Sequence, residues 1–435
     1  MKKTVLCLGA ALFLATGLAA AQSRMAGQRG GNESSKSVKK DASAANTYPN
    51  ATRHDPKAQM PDSIGRTLNK INDAMAEGNT DEGLKLADEV LQDKKLTPYA
   101  QAFALYLRAN MKWEKEDGAG AIADMKQAIS IDALPNSNQF PAMYTLAQYQ
   151  LQEEKYADAL VSVDDYVKQS GDSKAEVLAI KGNAYYRLEK YQDAINSLKE
   201  AIAKSEKTNE SWNQILMASY FELDQYDEAA KISEAQLAKT PTDKKLIQQL
   251  ASIYVNGKHE DRALKLLADS KAKGLFTTGD DYKLLAQLYG QADKAKDGAA
   301  VLEEGFTKGV VKPSYEMYKL LGDSYALADD ETKAIDAYEK ASPFAKDGEA
   351  DFLRGQLLVN NQKWPDARDA MKKALQRGVK RQGAAYVLLG NAENELGNKA
   401  GAIAAMEKAK GFEETRAMSE NWLKMIKGGG VVKKK

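Results

Sequence analysis

The stretch AEVLAIKGNAYYRLEKYQDAINSLKEAI, residues 175–202, holds two short amphipathic helices joined by a tight turn. Gly182 lies where the first helix comes closest to its partner, and Tyr185 follows on the same face. Ala194 opens the buried side of the second helix, with Leu198 and Ala201 four and seven residues later. That is the 3.6-residue period of a helix with one buried face. Small side chains at Gly182, Ala194 and Ala201 allow close helix axes, and the turn Glu189-Lys190-Tyr191 sets a ring over the hairpin.

The small residue that opens the second helix recurs along the chain. It stands as Gly83, Ala121, Ala159, Ala194, Ala229, Ala263, Gly298, Ala334, Ala367 and Ala402, at intervals of 38, 38, 35, 35, 34, 35, 36, 33 and 35 residues. These ten anchors predict ten helical hairpins. Tyr156, Tyr226 and Trp364 stand at turns, Tyr220, Tyr254, Tyr289 and Tyr325 on first helices, and Pro241 stops a preceding helix. The long first two intervals predict one-turn insertions or loosened helices.

On these residues the chain resembles the tetratricopeptide repeat family, whose motif of about 34 residues places a small residue, an aromatic and alanines in this register. The likeness is strongest in the units of Ala194, Ala334, Ala367 and Ala402. It implies an all-α fold: a right-handed superhelical solenoid of about ten hairpins over residues 61–411, with first helices lining the inner face. In EETRAMSENWLKMI, residues 413–426, Met418, Trp422, Met425 and Ile426 share one helix face, which predicts a capping helix over 412–427.

The two ends read differently. Lys2 and Lys3 precede an apolar run from Thr4 to Leu18 and then Ala19-Ala20-Ala21, the layout of a signal peptide over residues 1–21 with cleavage before Gln22. Cys7 is the only cysteine, so the mature chain offers no disulfide, thiol nucleophile or thiolate ligand, and the bacterial periplasm is the expected compartment. Residues 22–60 read as a disordered basic leader and 428–435 as a flexible basic tail. The whole chain carries +1; residues 1–60 carry +6 and the last three lysines +3, so the body between them carries −8. An acidic body disfavours nucleic acid as partner, and membrane contact is expected at most peripherally through the tails.

Catalytic, metal and cofactor residues are expected to be absent. The two histidines, His54 and His259, lie in unrelated contexts. No phosphate-binding glycine motif follows a strand, and no calcium loop is present. The working surface implied by the family resemblance is the inner face of the first helices. By register it carries the amides Gln148, Gln152, Asn183, Gln248, Asn256, Gln287, Gln291, Gln356, Asn360, Asn391 and Asn394, with Arg187 beside them. Trp113, Tyr144, Tyr186, Phe221 and Phe352 interleave as flat apolar contacts. Amides pair with the backbone of an extended segment, each offering a donor and an acceptor. The family's subclass that grips a C-terminal carboxylate is not matched: Asn183 and Arg187 fit, but Gln214 and Glu222 stand where lysines belong.

A scaffold or adaptor for envelope proteins is the leading functional expectation, with a polysaccharide- or peptidoglycan-associated module of an export or assembly machine as the alternative. Residues 240–427 also resemble periplasmic repeat proteins that accompany bacterial TonB–ExbB–ExbD energy-transducing systems. That likeness implies support of TonB-dependent uptake.

Overall fold

The computed structural model describes residues 48–207 and 209–427. The expected signal peptide, the leader up to residue 47 and the basic tail lie outside them. Among the described residues the chain is an all-α solenoid with no β-strand. It divides into two compact units, residues 1–232 and 233–435.

In the first unit α1 (Asp62–Ala76) pairs with α2 (Thr80–Leu91), and α3 (Pro98–Glu114) with α4 (Gly118–Ser130). Likewise α5 (Asn136–Gln152) pairs with α6 (Tyr156–Ser170), and α7 (Ala175–Arg187) with α8 (Tyr191–Lys204). Then come α9 (Glu210–Glu222) and α10 (Tyr226–Lys239), whose residues fall on both sides of the division. In the second unit α11 (Lys244–Asn256) pairs with α12 (Glu260–Ala272), and α13 (Gly279–Gln291) with α14 (Ala295–Thr307). There α15 (Tyr315–Leu327) pairs with α16 (Glu331–Ala341), α17 (Glu349–Asn360) with α18 (Trp364–Gln376), and α19 (Gln382–Glu395) with α20 (Lys399–Ala409). A last helix, α21 (Glu413–Lys427), packs on α20 and α19.

Every anchor is the fourth residue of an even-numbered helix, and every one is buried. Gly182 shows why the facing position is small: a Cβ there would lie 2.6 Å from Leu198 Cγ. The long first intervals come from longer odd helices. Both α3 and α5 have 17 residues where α7 has 13, one extra turn.

Each hairpin closes through a three-residue elbow of one design. The residue five before the anchor is left-handed in all ten: Gly78, Glu116, Glu154, Glu189, Asp224, Lys258, Asp293, Asp329, Gln362 and Gly397, with φ from 54° to 77°. The next residue's N–H then reaches back five residues to an odd-helix carbonyl, as Lys190 does to Tyr185 O at 2.9 Å, and all ten such bonds measure 2.7–2.9 Å. This is the Schellman closure, which satisfies carbonyls the helix end leaves orphaned.

Between hairpins the packing is mostly apolar, but at α16–α18 it is ionic. Asp351 is fully buried. It accepts from Ser342 Oγ at 2.7 Å and pairs with Lys373 and Arg377, each at 3.1 Å. Arg377 also donates to the carbonyl of Ser342 at 2.7 Å, which ties the 3-10 turn Ser342–Phe344 to α18.

Two expectations need correction. Residues 48–57 are not an unstructured leader. Tyr48 meets Phe140 edge-on at 4.6 Å, Arg53 bonds Asn136 at 2.6 Å, and Asp55 Oδ1 accepts from Asn136 N–H at 2.7 Å. The helix α5 begins after Pro135 with no capping side chain of its own. Asp55 supplies the cap from 81 residues away, a partnership that local composition cannot reveal.

The second correction concerns the cap. Ile426 is buried and Trp422 half-buried as expected, but Met418 and Met425 are half exposed, and Thr415, Ser419 and Leu423 complete the buried face of α21. Small hydroxyl residues allow the close approach, and Thr415 Oγ1 bonds Ala409 O at 2.6 Å.

Eight of the ten left-handed elbow residues bear a side chain, which costs about 1–2 kcal/mol of backbone strain relative to the right-handed region. Glu189→Gly should therefore stabilise by roughly 0.5–1 kcal/mol after the added chain entropy is set against it, read as a higher urea midpoint. Gly78→Ala, whose Cβ would meet nothing within 4 Å, should lower the midpoint by a similar amount. A second prediction concerns the buried carboxylate: Asp351→Ala removes the shared acceptor of two partly exposed cations and of Ser342, and should destabilise by about 1.5–3 kcal/mol. A loss below about 1 kcal/mol in the same assay would mean that the network contributes little.

Candidate partner-binding surface

Counting back from each anchor places the amides in columns. Eleven residues before it stand Gln148, Asn183, Gln287, Gln356 and Asn391; seven before it stand Gln152, Arg187, Asn256, Gln291 and Asn360. The two columns are four residues apart, so their side chains are neighbours on one helix face. Gln152, Arg187, Asn256, Gln287, Gln291, Gln356 and Asn360 are exposed, while Gln148, Asn183, Asn391 and Asn394 are half-buried.

The same count adds two residues that the family-based reading missed. Asn72 and Asn110 stand eleven before Gly83 and Ala121, so seven of the ten odd helices carry an amide at this place. Asn110 accepts from Tyr149 OH at 2.8 Å. Four consecutive odd helices of the first unit, α1, α3, α5 and α7, thus present one amide each in one register.

Some positions serve neighbouring packing. Gln248, fifteen before its anchor, donates to Asp281 at 3.0 Å on the next odd helix. Asn256 donates to Ser252 O at 2.8 Å, one turn back on its own helix. Phe352, also fifteen before its anchor, is a correction: it is 2 % exposed, packed with Ala374, Val379 and Ala385, and covered by Arg381 at 4.2 Å. That place faces the start of the next odd helix, so the ring is core.

The other rings are half-buried and partnered. Trp113 stacks on Tyr149 at 4.0 Å, Tyr186 packs on Tyr191 at 5.7 Å, and Phe221 meets Tyr226 edge-on at 5.2 Å. Tyr191 and Tyr226 open even helices, so these last two contacts cross an elbow. Tyr144 packs toward Tyr166 at 6.5 Å. Burial, helped by Glu176, pushes its hydroxyl up to about 12, and burial with Glu222 also raises Tyr186. Both phenols therefore stay neutral donors through physiological pH. The face presents amides at its surface and rings at its edges.

A polar cleft of about 580 Å³ opens in the second unit between Val255, Lys258, His259, Arg262, Gln291 and Ala292. Its single histidine stands among Lys258, Glu260, Asp261 and Arg262. Among the described residues no three or more His, Cys, Asp or Glu side chains form a group that could hold a metal ion. No helix among them is long and apolar enough to cross a membrane.

A tetratricopeptide repeat-like domain matches residues 16–219, and a tetratricopeptide repeat matches residues 352–416. No curated protein matches the chain. Among solved structures, a tetratricopeptide repeat protein from Parabacteroides merdae is 18% identical over 59% of this chain and 99% of its own, with a TM-score of 0.37. The C-terminal part of a repeat-containing protein from Cytophaga hutchinsonii is 16% identical over 65% of this chain and 100% of its own, with a TM-score of 0.41. MamA from Desulfovibrio magneticus is 18% identical over 43% of this chain and 99% of its own, with a TM-score of 0.37. Ten buried anchors in one register, with the family matches over residues 16–219 and 352–416, identify the hairpins as tetratricopeptide repeats.

Proposed function

We propose that the odd-helix face is the binding face of a periplasmic scaffold or adaptor in the bacterial envelope. It holds an extended stretch of a protein partner through many weak contacts and performs no chemical step. Repeat proteins of this fold serve generally as protein-interaction scaffolds. The observation that carries the reading here is the amide column, seven side chains in one register with none buried. Amides suit the N–H and C=O groups of an extended backbone, each offering a donor and an acceptor. Support of a TonB–ExbB–ExbD system is the finer proposal, and it rests on the resemblance of residues 240–427 to the periplasmic repeat proteins of such systems.

Because the rings are engaged in packing, the amides are the informative substitutions. The triple variant Gln287→Ala/Gln356→Ala/Asn391→Ala should lower crosslinking to the partner in intact cells at least tenfold, with helicity by circular dichroism unchanged. Three hydrogen bonds at about 0.5–1.5 kcal/mol each account for that loss. Unaltered crosslinking would place the partner elsewhere. Localisation is checked separately: osmotic shock should release a chain whose first residue is Gln22, and a chain retained in the cytoplasm with Met1 intact would refute the compartment.

A further inference from the structure

Residues Tyr48–Asp55 form a strap along one edge of the first unit, where α4 and α6 end and α5 and α7 begin. Four kinds of contact hold it. The Tyr48 ring lies edge-on to Phe140 at 4.6 Å with the Lys174 ammonium 5.3 Å above it. Thr52 donates its N–H to Gln169 O at 2.9 Å and its hydroxyl to Lys168 O at 3.1 Å. Those carbonyls belong to the last turn of α6, which has no intrahelical donors for them. Arg53, its side chain only 7% exposed, bridges Asp132 and Asn136. Asp55 completes the set by capping α5.

The strap buries little apolar surface. Tyr48 and Ala51 are half-buried, whereas Pro49, Asn50, Thr52, His54 and Asp55 are exposed. A segment held by mostly exposed hydrogen bonds, one ring and the single Arg53 bridge opens locally before the helices beneath it unfold. It closes again because its tether keeps it at an effective concentration of roughly millimolar. The uncovered edge still has a ring site, two helix-end carbonyls, an acceptor pair for a guanidinium and an uncapped helix N-terminus.

We propose that this edge is a second peptide-docking site, separate from the odd-helix face and gated by the strap. Its occupant is an extended segment of a partner protein that carries the strap's own chemistry: an aromatic residue, Thr-Arg four and five residues later, and a carboxylate at the seventh. The strap sets the threshold, so a partner segment enters only when it outcompetes a tethered copy. The site owes nothing to the amide column, and the two fail independently.

The test uses the full chain, its Tyr48→Ala/Arg53→Ala variant and a fluorescent peptide YPNATRHDPK, the sequence of residues 48–57. Anisotropy should show the variant binding this peptide at least ten times more tightly than the unaltered chain does. A peptide with its arginine replaced by alanine should lose at least tenfold. Equal binding to both chains, or none to a variant with intact helicity, would overturn the proposal. Should the variant not fold, hydrogen exchange on the unaltered chain decides the matter. The Thr52 amide is expected to exchange faster than the core amides of α5 and α6. Equal rates would mean that the strap opens only with global unfolding, and the site would not exist.

Discussion

Ten times along this chain an N–H reaches back five residues across a left-handed elbow and closes an odd helix, at 2.7–2.9 Å in every case. The bond fixes where one helix stops, and three elbow residues later the next has begun. The anchor then falls at the fourth residue of the even helix, where the two axes pass close enough that only glycine or alanine fits. Because the elbow is constant, variation in repeat length falls in the helices themselves and in the connections between hairpins. The face that carries the amides depends on this. Side chains eleven and seven residues before the anchor keep one register only while the elbow keeps its length.

Much of this was legible in the amino-acid order. Anchors stand out because close axes admit so few residue types, and a small residue at a fixed interval is a physical constraint repeated. The left-handed elbow residues were not legible. Only Gly78 and Gly397 are glycines, and the Glu, Asp, Lys and Gln residues at the other eight places look like ordinary solvated turns. Their conformation is imposed by the backbone bond and by the packing of the two helices it joins.

The candidate surface was legible in part. Amides eleven and seven before the anchors are accessible, but the rings drawn to the same face are not free contacts. Tyr186 and Phe221 sit at helix ends, where the first ring of the next even helix lies directly across the elbow. Phe352 lies beneath the following odd helix, and helical periodicity cannot tell a groove from a junction between hairpins. The strap and the Asp351 network escaped for a related reason. Asp55 and Asn136 are joined across 81 residues, and Arg377 reaches Asp351 across 26, so no local pattern foretells either pair.

The two surfaces differ in physical character. The proposed amide face would act through many weak contacts with an extended backbone. The strap edge is narrow and specific, and the chain itself occupies it. Hydrogen exchange on the full chain, alone and bound to the partner recovered by crosslinking in cells, tests most directly whether the amide face is the working surface. Slowed exchange concentrated in the odd helices that carry the amide column is the expected result; protection confined to the even helices, with the odd helices unchanged, would contradict it.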